Sequence, residues 1–284
     1  MARISPLKKI VDNDMAPGEQ TPVIDIRGAE KTFPNGFRAL EPVNLRVEPG
    51  EFLTLIGPSG CGKSTLLGMM TNLLQPSRGE VAWWGGPFAQ TGTAGKTLSI
   101  VFQDATLMPW ASIQANVRLP LDLTRVPRKD ADQRVRDALA RVGLAGFEDR
   151  LPRQLSGGMR MRVSIARALV TEPDLLLMDE PFGALDEFTR NKLDADLLDL
   201  WRERSLPIVF VTHSIYEAVF LSTRVVVMAA RPGRISRIID IDAPWPRDDA
   251  FRGSPRFAAL CAELSRALHE ASEELGSMST GAKP

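Results

Sequence analysis

The sequence predicts a mixed α/β fold: a sheet flanked by helices, with an antiparallel β subdomain towards the N-terminus and an inserted α-helical subdomain. Three observations predict it. Short apolar runs of strand character occur in both halves of the chain. Between them, roughly residues 105–171 change to helical spacing. Runs in the second half, such as Leu175–Glu180 and Ile208–His213, are almost wholly apolar, as in strands buried on both faces.

Taken in order, Val23–Gly28, Asn44–Gly50 and Glu51–Gly57 read as strands. The break Glu48-Pro49-Gly50-Glu51 reads as a tight turn, which predicts that the last two pair antiparallel. Gly79–Gly85 and Ser99–Asp104 are further strand candidates. Arg128–Leu144 carries Val135, Leu139 and Val142 at helical spacing and stops at Gly143. A second helix opens at Ser156 and runs to Val170. Alternation then resumes: strand Leu175–Glu180, helix Asp186–Arg204, strand Ile208–His213, short helix Ser214–Leu221, and strands Arg224–Ala229 and Ile235–Ile241. A C-terminal helix is expected after Pro255.

The chain has 284 residues, 35 basic and 35 acidic, so no general positive field suits it to nucleic acid, and no nucleic-acid partner is expected. Its two cysteines, Cys61 and Cys261, have no zinc spacing. No apolar run approaches the roughly 18 residues of a membrane span. The first 21 residues are polar, lack a signal-peptide core and are expected to form a flexible tail.

The decisive motif is Gly57-Pro58-Ser59-Gly60-Cys61-Gly62-Lys63-Ser64-Thr65, which fits G-x-x-x-x-G-K-[ST] between a strand and a helix. Consecutive backbone N–H groups of such a loop wrap a β-phosphate, and glycines allow the close approach. Lys63 adds a cation at the β- and γ-phosphates, and Ser64 offers a hydroxyl to Mg²⁺. These residues define a P-loop NTPase core. Such a core needs a metal-organising acid on a neighbouring strand, and Asp179 stands after four apolar residues. Glu180, next at the strand tip, is the candidate general base.

Ser156, Gly157 and Gly158 at a helix start form a second anion cradle. One P-loop does not need two cradles in one chain. The economical reading is a head-to-tail dimer, in which this tip grips the γ-phosphate held by another copy.

With these motifs in place, residues 22–242 resemble the ATP-binding cassette family, the nucleotide-binding subunits of ABC transporters. Gly57–Thr65 resemble Walker A, Leu175–Glu180 Walker B, and Leu155–Met159 the signature. The resemblance implies ATP and Mg²⁺ as ligands. It makes Gln103 a glutamine that senses Mg²⁺ and the transmembrane partner, and Ala184-Leu185-Asp186 a loop at the dimer interface. It makes His213 a switch histidine on the γ-phosphate, and Phe33 an adenine-stacking ring. Met159 departs from the usual glutamine of the signature.

Phe102–Leu121, Met178–Arg190 and Thr212–Ile235 further resemble importer ATPases for nitrate, sulfonate and taurine. The resemblance implies a second copy in an ATP-sandwich homodimer, an integral membrane permease and a solute-binding protein. It also implies peripheral placement on the cytoplasmic face of the inner or plasma membrane. Leu107, Met108, Pro109 and Trp110 are expected to line the groove for the permease, and 243–284 to form an extension with a helix. Two other readings stand beside it: a non-transport ABC ATPase and a P-loop kinase of small molecules.

Overall fold

The computed structural model describes residues 21–88 and 95–279. The tail expected over residues 1–21 therefore lies outside the described residues apart from Thr21.

Two sheets form the body. Strands β1 (Ile24–Thr32), β2 (Arg38–Val47) and β4 (Arg78–Trp83) make an antiparallel sheet in the order β2-β1-β4. The other sheet contains β3 (Phe52–Ile56), β5 (Leu98–Val101), β6 (Leu175–Asp179), β7 (Ile208–Thr212), β8 (Arg224–Ala229) and β9 (Arg234–Asp240). Its order is β5-β6-β7-β3-β8-β9, parallel except for the β8–β9 hairpin.

The period of two along a strand explains the layers. In β3, β7 and β8, Phe52, Ile56, Ile208, Phe210, Val225 and Val227 face a helix-covered core. The intervening Leu53, Leu55, Val209, Val211 and Val226 face a second core, shared with the three-stranded sheet and with α1 (Lys63–Met70). Each such fully buried side chain contributes about 1.5–3 kcal/mol.

The tight turn at Glu48–Glu51 forms: Glu51 N–H donates to the Glu48 carbonyl at 3.2 Å, and the Glu51 carboxylate accepts from Glu48 N–H at 2.8 Å. The antiparallel pair expected across it does not form. β2 alternates buried and exposed residues and pairs with β1, whereas β3 is buried at all five positions and lies between β7 and β8. A strand buried on both faces needs a neighbour on each edge and a layer above and below. Only the parallel sheet supplies these.

Helices α2 (Ile113–Leu123), α3 (Arg128–Arg141) and α4 (Gly157–Leu169) pack together through Val117, Leu121, Val135, Leu139, Met161 and Ile165. α5 (Glu187–Arg204) and α6 (Ile215–Leu221) follow β6 and β7. After β9 come α7 (Asp249–Arg252) and α8 (Pro255–Ser279). α8 lays Phe257, Leu260, Leu264, Ala267 and Ala271, at helical spacing, over β8 and α6. Among the described residues, no helix is long and apolar enough to cross a membrane.

Strands β3, β5, β6 and β7 run parallel, so their C-terminal ends share one edge. The loop of Gly57, Gln103, Glu180 and His213 all lie just past those ends, where ligands of open α/β sheets bind. β5 stops at Val101, so Gln103 stands in the following bend rather than closing the strand.

Candidate active site

The loop from Gly57 turns between β3 and α1. A methyl group on Gly57 would meet the Met228 carbonyl oxygen at 2.5 Å and Cys61 Sγ at 2.7 Å, so glycine is required by contact with β8. Gly60 and Gly62 have φ of 78° and 91°, open to glycine at no steric cost. Gly62 caps α1 without a side-chain hydrogen bond, which leaves the first-turn N–H groups free of side-chain caps among the described residues. Ser59 and Ser64 are exposed, Pro58 and Thr65 half-buried. The buried Lys63 ammonium donates to the carbonyls of Gly57 at 2.8 Å and Pro58 at 3.2 Å. These are weak anchors that a phosphate oxygen can replace. Burial pushes the Cys61 thiol pKa up, partly opposed by the Lys63 charge, so Cys61 is a small core residue.

Ser64 and Asp179 meet across the edge. Burial raises the Asp179 pKa and the neighbouring Glu180 charge raises it further, while a Ser64 hydrogen bond and the Lys63 cation oppose both. A hydroxyl and a half-buried carboxylate are hard oxygen donors that suit Mg²⁺. Glu180 holds φ at 44°, a left-handed conformation that a non-glycine residue adopts at a cost. That turn aims its carboxylate at His213, with Nδ1 3.1 Å from Glu180 Oε2. A methyl group on Gly183 would come within 3.5 Å of the Glu180 carbonyl and His213 Cε1, and 3.9 Å from Gln103 Nε2. The edge thus gathers Gln103, Glu180 and His213 around Gly183.

The expected second cradle falls at a helix N-terminus. Ser156 caps α4, its Oγ accepting from Met159 N–H at 3.2 Å. Met159, in place of the usual glutamine, packs its half-buried side chain against the main core. Gly158 is buried against α5, where a methyl group would stand 2.7 Å from Thr189 Cγ2, whereas Gly157 is exposed. Asp186 caps α5, accepting from Thr189 N–H at 3.0 Å, and hydrogen bonds from that backbone N–H and from the Thr189 side chain lower its pKa.

Phe33 lies in the β1–β2 turn, half-buried and stacked on the exposed Phe37 at 6.4 Å, with the Lys31 ammonium 5.6 Å from its ring centroid. The start of β2 touches the glycine loop, since a methyl group on Gly62 would meet the Ala39 carbonyl at 3.2 Å. Sequence reasoning missed Phe37. It also missed Asn116, fully buried, whose amide holds Met108 N–H and the carbonyls of Met108, Ala111 and Ser112. That amide fixes the loop that carries Trp110, 77% exposed, while Leu107 packs on the core. A further omission is the pair of half-buried Arg190 and buried Glu217 beside the histidine, at 3.5 Å. Its one sequence signal is a lone acid inside the apolar helix α6.

A glycine loop on a parallel strand, a serine–aspartate pair beside it and a glutamate–histidine pair on the same edge define a P-loop NTPase, with a serine-capped, glycine-opened helix tip on its inserted helices. The chain belongs to the ABC transporter family: the family model matches residues 40–183. It is 44% identical over 245 residues to the aliphatic sulfonates import ATP-binding protein SsuB of Bacillus licheniformis, covering 84% of this chain and 91% of that one. Among solved structures it resembles cbiO1 from Clostridium perfringens, part of the ABC transporter complex cbiONQ. The TM-score there is 0.73 and identity 26%, over 88% of this chain and 98% of the other. It also resembles the dimeric ATP-binding cassette MJ0796 in a post-hydrolysis state bound to ADP and Pi. The TM-score is 0.69 and identity 32%, over 78% of this chain and all of that one. The chain is thus an ATP-binding cassette and an ATPase of this family.

Proposed function

We propose that this cassette powers uptake of a small solute of the nitrate, sulfonate or taurine type. It works as an ATP-sandwich homodimer on a separate permease served by a solute-binding protein. The observation that carries the reading is the 3.1 Å pairing of His213 with Glu180 on the edge that also presents Lys63. An inactive cassette has no use for a strained glutamate aimed at a histidine.

In this reading Gly57–Thr65 bind the phosphates, with Lys63 moving from its loop carbonyls to the β- and γ-oxygens. Ser64, Asp179 and Gln103 would hold Mg²⁺, which supplies charge neutralisation to the polyphosphate when bound. The Glu180 carboxylate takes a proton from the attacking water as its oxygen bonds the γ-phosphorus and the bridge to ADP breaks. Held beside Glu180, His213 donates a ring N–H to the γ-phosphate. Ser156, Gly157 and Gly158 grip that phosphate from the partner copy, and Asp186 contributes from the loop beside it. Phe33, with Phe37 behind it, stacks on adenine. Hydrolysis removes the phosphate that joins the two copies, and reopening of the dimer switches the permease. The exposed Trp110 is the permease contact in this reading, and the protein works peripherally at the cytoplasmic membrane face. Residues 22–242 form the cassette, with its helical subdomain at about 105–171, and 243–284 an extension.

Reconstitution with a permease and a solute-binding protein of the sulfonate, taurine or nitrate importers tests this. ATPase activity should rise with an aliphatic sulfonate, taurine or nitrate, together with uptake into the vesicles. Turnover indifferent to all three and to the permease would reject the assignment, and ATP-dependent phosphorylation of a small molecule would favour a kinase instead.

A further inference from the structure

His213 stands between β7 and α6, so its position is set by what holds α6. At the N-terminal end the Thr212 hydroxyl donates to the Glu217 carboxylate and accepts from Ser214 N–H at 3.0 Å, while Ser214 Oγ accepts from Glu217 N–H at 3.3 Å. These bonds frame His213 from both sides. Arg190 ties Glu217 to the loop before α5, donating to the Leu185 carbonyl at 2.9 Å.

Further holds on α6, besides its packing on α5, β3 and β7, come from beyond β9. Arg247, 5% exposed, donates from Nη1 to the carbonyls of Val219 at 3.4 Å, Phe220 at 3.1 Å and Ser222 at 2.6 Å. Its Nη2 reaches the Ile241 carbonyl at 3.2 Å. The Val219 and Phe220 carbonyls end α6 and Ser222 is its cap, and the helix has no basic residue of its own in its last turn. Arg252 lies 3.5 Å from the Phe220 ring centroid and donates to the buried Asp194 at 3.1 Å. Phe257 stacks on Tyr216 at 6.1 Å. One segment therefore grips the switch helix twice near its C-terminus, through the cations Arg247 and Arg252, and once in its first turn, through Phe257. A segment serving only to cover apolar surface would do so with α8 alone and would not need them.

We propose that residues 243–279 form a built-in brace for the switch histidine, in which Arg247 and Arg252 are positioning residues for ATP hydrolysis that act through α6. The inference rests on the reading of His213 given above. Displacement of α6 moves His213 off the γ-phosphate while leaving the glycine loop intact. The brace therefore governs turnover and not nucleotide affinity.

The chain has only two histidines, His213 and His269, so histidine-selective NMR of the full chain reads the effect at one atom group. Arg252→Met should shift the His213 ring resonances and lower kcat about tenfold or more, with KM for ATP within about twofold. Arg252→Lys should recover most of both. If Arg252→Met does not fold, Arg252→Met with Asp194→Asn removes the stranded carboxylate and carries the same expectation. Arg237→Met, which cuts only the 3.7 Å contact of β9 with Glu270 on α8, should leave kcat unchanged. Wild-type His213 resonances and kcat in a folded Arg252 variant would overturn the brace. So would kcat and KM changing together in step with melting temperature. His213→Ala, run in parallel, separates the two claims: normal turnover there would reject the histidine's role itself.

Discussion

Replacing Gly158 by alanine would place a methyl group 2.7 Å from Thr189 Cγ2 and 3.8 Å from Leu185 Cδ2. Carbon atoms pack favourably at about 3.5–4.0 Å, so α4 and α5 must part or Thr189 must turn. Overpacking of this kind costs about 1–3 kcal/mol. Alanine returns up to about 1 kcal/mol of helix propensity, less so in a first turn. The net expectation is a loss of about 1 kcal/mol, or a melting temperature lower by about 2–4 °C. Thr189→Ser deletes the offending methyl and keeps the hydroxyl. The double variant should therefore be more stable than the two single effects predict, by about 1 kcal/mol. Gly157 has open space, its nearest neighbours standing at 4.0 Å, so Gly157→Ala should melt like wild type yet hydrolyse ATP poorly. Thermal unfolding without nucleotide, with ATPase rates alongside, checks both. A Gly158→Ala protein as stable as wild type, or one that Thr189→Ser does not relieve, would refute the packing argument. Normal hydrolysis by Gly157→Ala would refute its place at the shared phosphate.

Ser156→Arg should abolish hydrolysis while leaving nucleotide binding by the isolated monomer intact, as read by a fluorescent ATP analogue; loss of monomer binding would place the cradle in the same chain as its nucleotide. Trp110→Glu should leave basal ATPase activity unchanged and uncouple it from the reconstituted permease, seen as lost solute stimulation. Asp194→Asn bears on pH. Burial pushes the Asp194 pKa to about 7, with Glu217 adding to the rise and Arg252 and Arg190 opposing it. The folded protein then holds a proton that the unfolded chain releases near pH 4, so this group's contribution to stability declines as pH rises from about 4 to about 7. The variant should flatten that decline by up to about 1 kcal/mol per pH unit, measured by urea unfolding from pH 5 to 8.

What was legible in the sequence was whatever a single residue type settles locally. An apolar run ending in an acid or histidine marks the tip of a buried strand, so Asp179, Glu180 and His213 could be placed before the fold was known. Glycines between a strand and a helix marked the phosphate loop, and the serine before Gly157 marked a helix cap. What was hidden depends on partners distant in the chain. The turn at Glu48–Glu51 forms as read, but only the layers on each side of β3 send it to a different sheet from β2. Helix α2 escaped notice because Pro120 sits inside it. Nothing local in the sequence singles out Arg247 and Arg252; only the fold brings them under α6. Nothing in the local pattern singles out Phe37, which the fold stacks on Phe33.

The most direct measurement of the central claim, that one copy's Lys63 loop and another's Ser156 tip hold the same γ-phosphate, is the mass of Glu180→Gln in solution with ATP and Mg²⁺. Light scattering should show a dimer that returns to monomer with ADP, and Ser156→Arg in the same background should stay monomeric. A Glu180→Gln protein that binds ATP yet remains a monomer, alone and beside its permease, would contradict the account.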